Sequence, residues 1–197
     1  MSEEVKNTQR RGFVLCVSGP SGSGKTSLCD KLANETDYVE HSISVTTRPI
    51  RPGERSGKDY IFVSRPEFEK MRGEAVFLET AEVFGNLYGT PLGPVKESLS
   101  NHRVIVMDID TVGANSVKEK LKDECVTVFV MPPSLEELEQ RLLQRKQNSP
   151  LDLERRLEEA KREVDEATNY QYIIENSQFD QAYRELIEAV ERERKRA

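Results

Sequence analysis

The sequence predicts an α/β fold: a P-loop-type parallel sheet flanked by helices, with a small β-rich lobe inserted and a helical segment late in the chain. Three observations carry this expectation. The apolar runs at 13–18, 104–107 and 126–131 are continuous, as in strands covered on both faces. Segments with apolar residues at helical spacing separate them. Between the first two runs, positions of about 41–90 hold short strand-like pieces punctuated by Pro and Gly. A chain of 197 residues supports one sizeable core plus inserted lobes, so a single domain over 1–197 is expected. Its core would be 12–40, 91–134 and 168–197, and its insert about 41–90.

Phe13-Val14-Leu15-Cys16-Val17-Ser18 reads as the first strand, and Gly19-Pro20-Ser21-Gly22-Ser23-Gly24-Lys25-Thr26 follows it directly. This octet has the phosphate-binding spacing: Gly, four residues, Gly, Lys, then a hydroxyl residue. The glycines let the backbone curl so that successive N–H groups face phosphate oxygens. Lys25 adds charge for the outer phosphates, the Thr26 hydroxyl suits Mg²⁺, and the helix opening near Lys25 brings its positive end to the same anion. The plain alternative is a Gly/Ser-rich turn, but the full register and the strand in front favour a nucleoside triphosphate site.

Leu28 and Leu32 mark the first helix. Positions 38–45 alternate as one half-exposed strand, 46–54 are too rich in Pro and Gly for a regular element, and 60–63 read as a short strand. A helix is expected from Arg65-Pro66, with Phe68 and Met71 inward. Strand-like runs at 76–83 and 87–88 meet at Phe84-Gly85-Asn86, a hairpin signal. A short helix at 94–100 and the apolar run 104–110, ended by Asp108 and Asp110, come next. A helix to about Lys122 and the strand at 126–131 follow. Ser134 can cap a helix carrying Leu135, Leu138, Leu142 and Leu143, with Glu137 in the capping-box position. Positions 144–152 break the pattern at Pro150. Leu153, Leu157, Ala160 and Val164 line one face of the next helix, and 172–174 form a last strand. Ala182, Leu186, Ile187 and Val190 mark the closing helix.

The net charge of −6 argues against a general nucleic-acid binder. Three cysteines without a ligand spacing, and two isolated histidines, make a zinc site improbable and fit reduced, partly buried thiols. No apolar stretch has membrane-spanning length and the first eleven residues lack a signal-like core, so a cytoplasmic protein without a membrane partner is expected. Monomer and homo-oligomer both stay open.

Arg48 and Arg51, three apart on a Pro-stiffened segment and followed by Glu54, suit a clamp for one phosphate dianion. The plainer reading is a solvated loop. Tyr60 and Tyr88 can donate to the same phosphate, although a tyrosine alone more often packs in a core. Glu79, among Phe77, Leu78 and Ala81, needs a donor partner, and the Watson–Crick edge of guanine offers a pair of N–H groups. Ser44 and Thr90 are candidates for its O6. Strand glutamates also commonly face water. Asp108 ends a buried strand, as the Mg²⁺-shell acid of phosphate-loop enzymes does, and Asp110 falls on the same side of an extended chain. Arg141, Arg145, Lys146, Arg155 and Arg156 bracket the break near 144–152. They read either as a solvated face or as cations delivered to a moving phosphoryl group.

These motifs resemble the guanylate kinase family from about Gly12 to Val190. They are the glycine-rich octet, Ser44-Val45-Thr46-Thr47-Arg48-Pro49 with Arg51-Pro52-Gly53-Glu54, Gly57-Lys58-Asp59-Tyr60 and Phe77-Leu78-Glu79. Gly85-Asn86-Leu87-Tyr88-Gly89-Thr90, Asp108-Ile109-Asp110 and Arg156-Leu157-Glu158-Glu159-Ala160 complete them. The resemblance implies ATP-dependent phosphorylation of GMP, and of dGMP, to the diphosphate, with Mg²⁺. It makes the insert a GMP-binding lobe and about 135–167 a lid over ATP. It implies that Gly19, Pro20, Ser21, Gly22, Ser23, Gly24, Lys25, Thr26, Ser27 and Asn176 bind ATP. Arg48, Arg51, Tyr60 and Tyr88 would hold the GMP phosphate, with Glu54 and Asp108 in the same site. Ser44, Glu79, Thr90 and Asp110 would read guanine, and Lys25, Arg48, Arg145 and Arg156 would act in transfer. Thr26 and Asp108 would hold Mg²⁺, directly or through water. Lys146, Asn176-Ser177 and Thr80 depart from the family pattern. The rivals are another phosphate-loop kinase or GTPase, and a non-catalytic protein-interaction module.

Overall fold

The computed structural model describes residues 10–144 and 150–196. Strand β1 (Phe13–Ser18) lies at the middle of a five-stranded, wholly parallel sheet in the order β2-β7-β1-β8-β9. The others are β2 (Val39–His41), β7 (Val104–Asp108), β8 (Cys125–Met131) and β9 (Tyr172–Glu175). All of β1 is buried. Phe13, Leu15 and Val17 face helices α1 (Lys25–Glu35) and α7 (Phe179–Arg194), through Leu28, Leu32 and Leu186. Val14 and Cys16 face α3 (Leu92–Ser100) and α4 (Thr111–Leu121), through Val95 and Val117. Burial on both sides is why the strand reads as an unbroken apolar run.

The insert forms a second, four-stranded sheet in the order β4-β3-β6-β5. Its strands are β3 (Val45–Thr46), β4 (Ile61–Phe62), β5 (Phe77–Val83) and β6 (Asn86–Pro91). Helix α2 (Arg65–Gly73) covers it, opened by a reciprocal capping box between Ser64 and Glu67. Phe68 stacks on Phe77 with ring centroids 4.7 Å apart, and Val45 and Leu87 complete this small core.

Helices α5 (Leu135–Gln144) and α6 (Pro150–Asp165) pack on each other through Leu138, Leu142 and Ala160. The N–H of Glu137 donates to the Ser134 hydroxyl at 3.1 Å, half of the expected capping box.

Several expectations need correction. Positions 38–45 are not one strand: β2 joins the central sheet and β3 the insert, because alternation alone does not say which sheet a strand joins. The run at 104–110 leaves the sheet after Asp108, and Asp110, its backbone still extended, caps α4 by accepting from the Gly113 N–H at 2.7 Å. Helix α6 starts at Pro150, earlier than the expected Leu153, since the first helical turn needs no N–H from a proline; the rest of the expected break, 145–149, lies outside the described residues. Leu143 is half exposed and lies off the apolar face of α5. All three cysteines are buried, Cys16 and Cys29 completely, with the Cys16 and Cys125 sulfurs 3.7 Å apart. Among the described residues no helix is long and apolar enough to cross a membrane.

Candidate active site

The turn between β1 and α1 uses three glycines at positive φ, and two of them admit no side chain. A Cβ on Gly19 (φ 138°) would lie 2.3 Å from the Val130 carbonyl, and one on Gly24 (φ 96°) 2.3 Å from the Asn176 amide nitrogen. The loop therefore lies pressed against β8 and the end of β9. Asn176 is buried and its amide donates to the Ser23 carbonyl at 2.7 Å, so it holds the loop from below. The Arg141 guanidinium donates to the Asn176 carbonyl at 3.1 Å and so ties α5 to the same support.

The Lys25 ammonium donates to the carbonyls of Gly19 (2.6 Å) and Pro20 (3.2 Å). The Thr26 hydroxyl donates to the Asp108 carboxylate at the end of β7. A hydroxyl and a carboxylate side by side at the helix start form a hard oxygen donor set that suits a divalent cation such as Mg²⁺.

Across from the loop, Arg48 is buried in the insert. Its fork donates to the Pro49 carbonyl (2.8 Å) and to Glu54 Oε1 (2.7 Å), and the rings of Tyr60 and Phe62 flank it at 5.3 and 5.6 Å. Glu54 Oε2 accepts from the Arg51 N–H at 2.8 Å. Burial pushes the Glu54 carboxyl up, but Arg48 and the Arg51 N–H outweigh it and hold the pKa below the usual range. Glu54 is thus the brace of the arginine loop. Burial, with the nearby Asp108 charge, pushes the Tyr60 phenol up, so Tyr60 stays a donor. Tyr88 meets the edge of Tyr60 at 6.0 Å.

Glu79 is buried on β5 and accepts from the Thr90 hydroxyl at 2.7 Å across the β5–β6 pair. Burial raises its pKa, the Thr90 hydroxyl opposes that, and the Asp110 charge adds to it. Burial likewise raises Asp110, against the N–H donors of α4. A Cβ on Gly113 would stand 3.1 Å from both Glu79 and Asp110 carboxylate oxygens. Gly113 thus leaves space for the two acids to converge.

These parts share a cavity of about 490 Å³. Gly19, Ser21, Gly22, Gly24, Lys25, Thr26, Ser27 and Asp108 line one end. Ser44, Arg51, Tyr60, Glu79, Tyr88 and Asp110 line the other. Arg48, Glu54, Thr90, Pro20, Ser23 and Asn176 stand behind the lining residues instead of among them. Helix α6 contributes Arg156, whose Nη1 donates to the Ser21 hydroxyl at 2.9 Å. Arg145 and Lys146 lie outside the described residues.

The sequence reading missed three contributors. Glu163, on the cavity side of α6, has its carboxyl pushed up to about 7 by burial, with Lys25 opposing and Glu159 and Asp110 reinforcing. Gly113 looked like an ordinary helix residue, and Phe84 like a hairpin tip. Only the period of α6 hinted at Glu163, three positions after the inward Ala160.

A sequence model of guanylate kinase matches residues 10–193. The guanylate kinase of Caulobacter vibrioides is 45% identical over 93% of this chain and 86% of its own length. That of Chelativorans sp. is 42% identical over 95% of this chain and 86% of its own. The crystal structure of guanylate kinase from Anaplasma phagocytophilum superposes with a TM-score of 0.80 at 32% identity, covering 94% of this chain and 87% of that one. Shikimate kinase from Bacteroides thetaiotaomicron, 17% identical at a TM-score of 0.51 over 91% of this chain and 98% of its own, shares the fold alone. The similarity runs through the phosphate loop, the arginine-bearing insert and α6 alike, and the chain belongs to the guanylate kinase family.

Proposed function

We propose that the protein transfers the γ-phosphoryl group of ATP to GMP, giving ADP and GDP, with dGMP as a second acceptor. The observation that carries this reading is the shared cavity, with a phosphate loop at one end and a buried carboxylate, Glu79, in the wall of the other. A GTPase would need only the first end. A protein-interaction module would need neither a triphosphate loop nor a carboxylate aimed into a pocket.

In this reading Gly19 to Ser27 wrap the ATP phosphates, with Lys25 neutralising charge and Asn176 keeping the loop in shape. Arg51, Tyr60 and Tyr88 take the GMP phosphate directly, and Arg48 and Glu54 brace them. Glu79, set by Thr90 and neighboured by Asp110, accepts the guanine N1–H and N2–H, while Ser44 donates to O6. Adenine has no such pair of donors, which gives the preference its sign. Thr26 and Asp108 are the groups that fit Mg²⁺, which would supply positive charge on the outer phosphates. A GMP phosphate oxygen attacks the γ-phosphorus as the bond to the ADP oxygen breaks. That nucleophile is already anionic, so no strong base is required. The protein contributes alignment, charge neutralisation and exclusion of water as segment 135–167 closes, with Arg156 and Arg145 as its cations. We place the reaction in the cytoplasm, with the whole chain acting as one domain.

A coupled assay with ATP, Mg²⁺ and each nucleoside monophosphate tests this. GDP formation from GMP, about 100-fold or more above turnover of AMP, is the expected result, since an unmatched buried acceptor rejects the wrong base strongly. No GDP, or a preference for AMP, overturns the reading.

A further inference from the structure

We propose that Phe84 is a positioning residue for phosphoryl transfer, its ring seating the Arg156 guanidinium toward the phosphate loop. The proposal rests on the catalytic reading of Arg156 above.

Phe84 and Gly85 are the two loop residues of the β5–β6 hairpin, closed by the Val83–Asn86 pair. Both have positive φ, 49° and 77°. Two-residue loops of this kind favour Asn, Asp or Gly at the first position, because a bulky side chain strains there. An aromatic residue is the wrong choice for the turn, and the Asn86 amide donates to the Phe84 carbonyl at 3.2 Å to support it. The ring is also not in a core, being 40% exposed. Backbone strain kept at an exposed tip points to a contact elsewhere.

That contact is α6. The guanidinium carbons of Arg156 and Arg155 lie 5.1 and 5.6 Å from the Phe84 ring centroid, within cation–π range. Arg156 at the same time donates to Ser21 in the phosphate loop. One side chain thus spans the acceptor lobe and the donor loop, with Phe84 fixing its lobe side. The ring attracts a guanidinium without forming a directional hydrogen bond. It therefore holds Arg156 in place without taking any of its N–H groups. A carboxylate at this position would instead compete with the phosphoryl group for the same donors.

The variants Phe84→Asn, Phe84→Tyr, Arg156→Ala and Phe84→Asn with Arg156→Ala separate this role from a structural one. Phe84→Asn suits the turn better, so its melting temperature should match or exceed the parent's. Its kcat should fall about 3- to 10-fold, with KM for both nucleotides changed by less than about twofold. Phe84→Tyr should restore the rate. In the Arg156→Ala background, Phe84→Asn should cost nothing further. Parental kcat in Phe84→Asn, or a full additional loss in the double variant while Arg156→Ala is itself slow, overturns the proposal alone. Parental kcat in Arg156→Ala overturns the role of Arg156 and the proposal with it.

Discussion

The side-chain amide of Asn176, just past β9, donates to the backbone carbonyl of Ser23 at 2.7 Å, from the far side of the phosphate loop. Asn176→Ala would leave a buried carbonyl without its donor, at a cost of about 1 to 3 kcal/mol. For a chain of this size that lowers the melting temperature by roughly 2 to 10 °C. The Michaelis constant for ATP should rise while that for GMP stays near its parental value. Gly24→Ala should do more damage, since its Cβ would overlap the same amide and its φ is positive. Thermal melts and initial rates at varied ATP check both variants.

In the proposed reading, Glu79 sets the base preference through its carboxylate oxygens. In Glu79→Gln one acceptor becomes a donor facing a donor, so kcat/KM for GMP should fall about 10- to 100-fold, the worth of a charge-assisted hydrogen bond. Turnover of AMP should stay level or rise. Equal use of both bases in the parent and in the variant would make Glu79 structural.

Glu163 makes stability depend on pH. Its carboxyl titrates near 7 in the folded chain, against an ordinary glutamate value in the unfolded one. Between those values the folded state binds more protons, so stability falls as pH rises through about 4.5 to 7 and then levels off. Glu163→Gln keeps the shape without the charge. Measured by denaturant titration, it should gain up to about 2 kcal/mol on the parent between about pH 5.5 and about pH 8. An equal offset at both pH values would refute this.

Arg48 works as a fork. Its two terminal nitrogens reach different acceptors, Pro49 O and Glu54, and two rings flank it. Lysine supplies one point charge and cannot bridge both. Arg48→Lys should lower kcat/KM for GMP about 10-fold, the value of one charged hydrogen bond, with KM for ATP little changed. Glu54→Gln should act similarly, and the double variant should cost less than the sum, because both residues belong to one brace. Steady-state kinetics at varied GMP measures each.

Much of the site was legible because its chemistry is local in the chain. The glycines of the phosphate loop are needed for backbone angles, which neighbours in sequence set, so Gly19 and Gly24 show in the spacing. Burial of β1 and β8 on both faces leaves runs that are apolar but for Ser18 and Thr127, so the parallel sheet shows as well. The boundary between sheets at 42–44 did not show, because alternation is the same in either sheet. Asp110 lines the same cavity as Asp108, in keeping with the same-side reading, but its part as the cap of α4 did not show.

The sequence by itself determined a triphosphate loop, an arginine pair and a glutamate in an apolar strand, each through residue type and spacing. Only the tertiary structure decided what stands in front and what stands behind. It set Arg48 and Glu54 as a brace, put Asn176 under the loop, and let Glu79 and Asp110 converge beside Gly113. It also brought Phe84 and Glu163 to the cavity through the packing of α6. Those relations join residues far apart in the chain, and no local pattern encodes the distance between them.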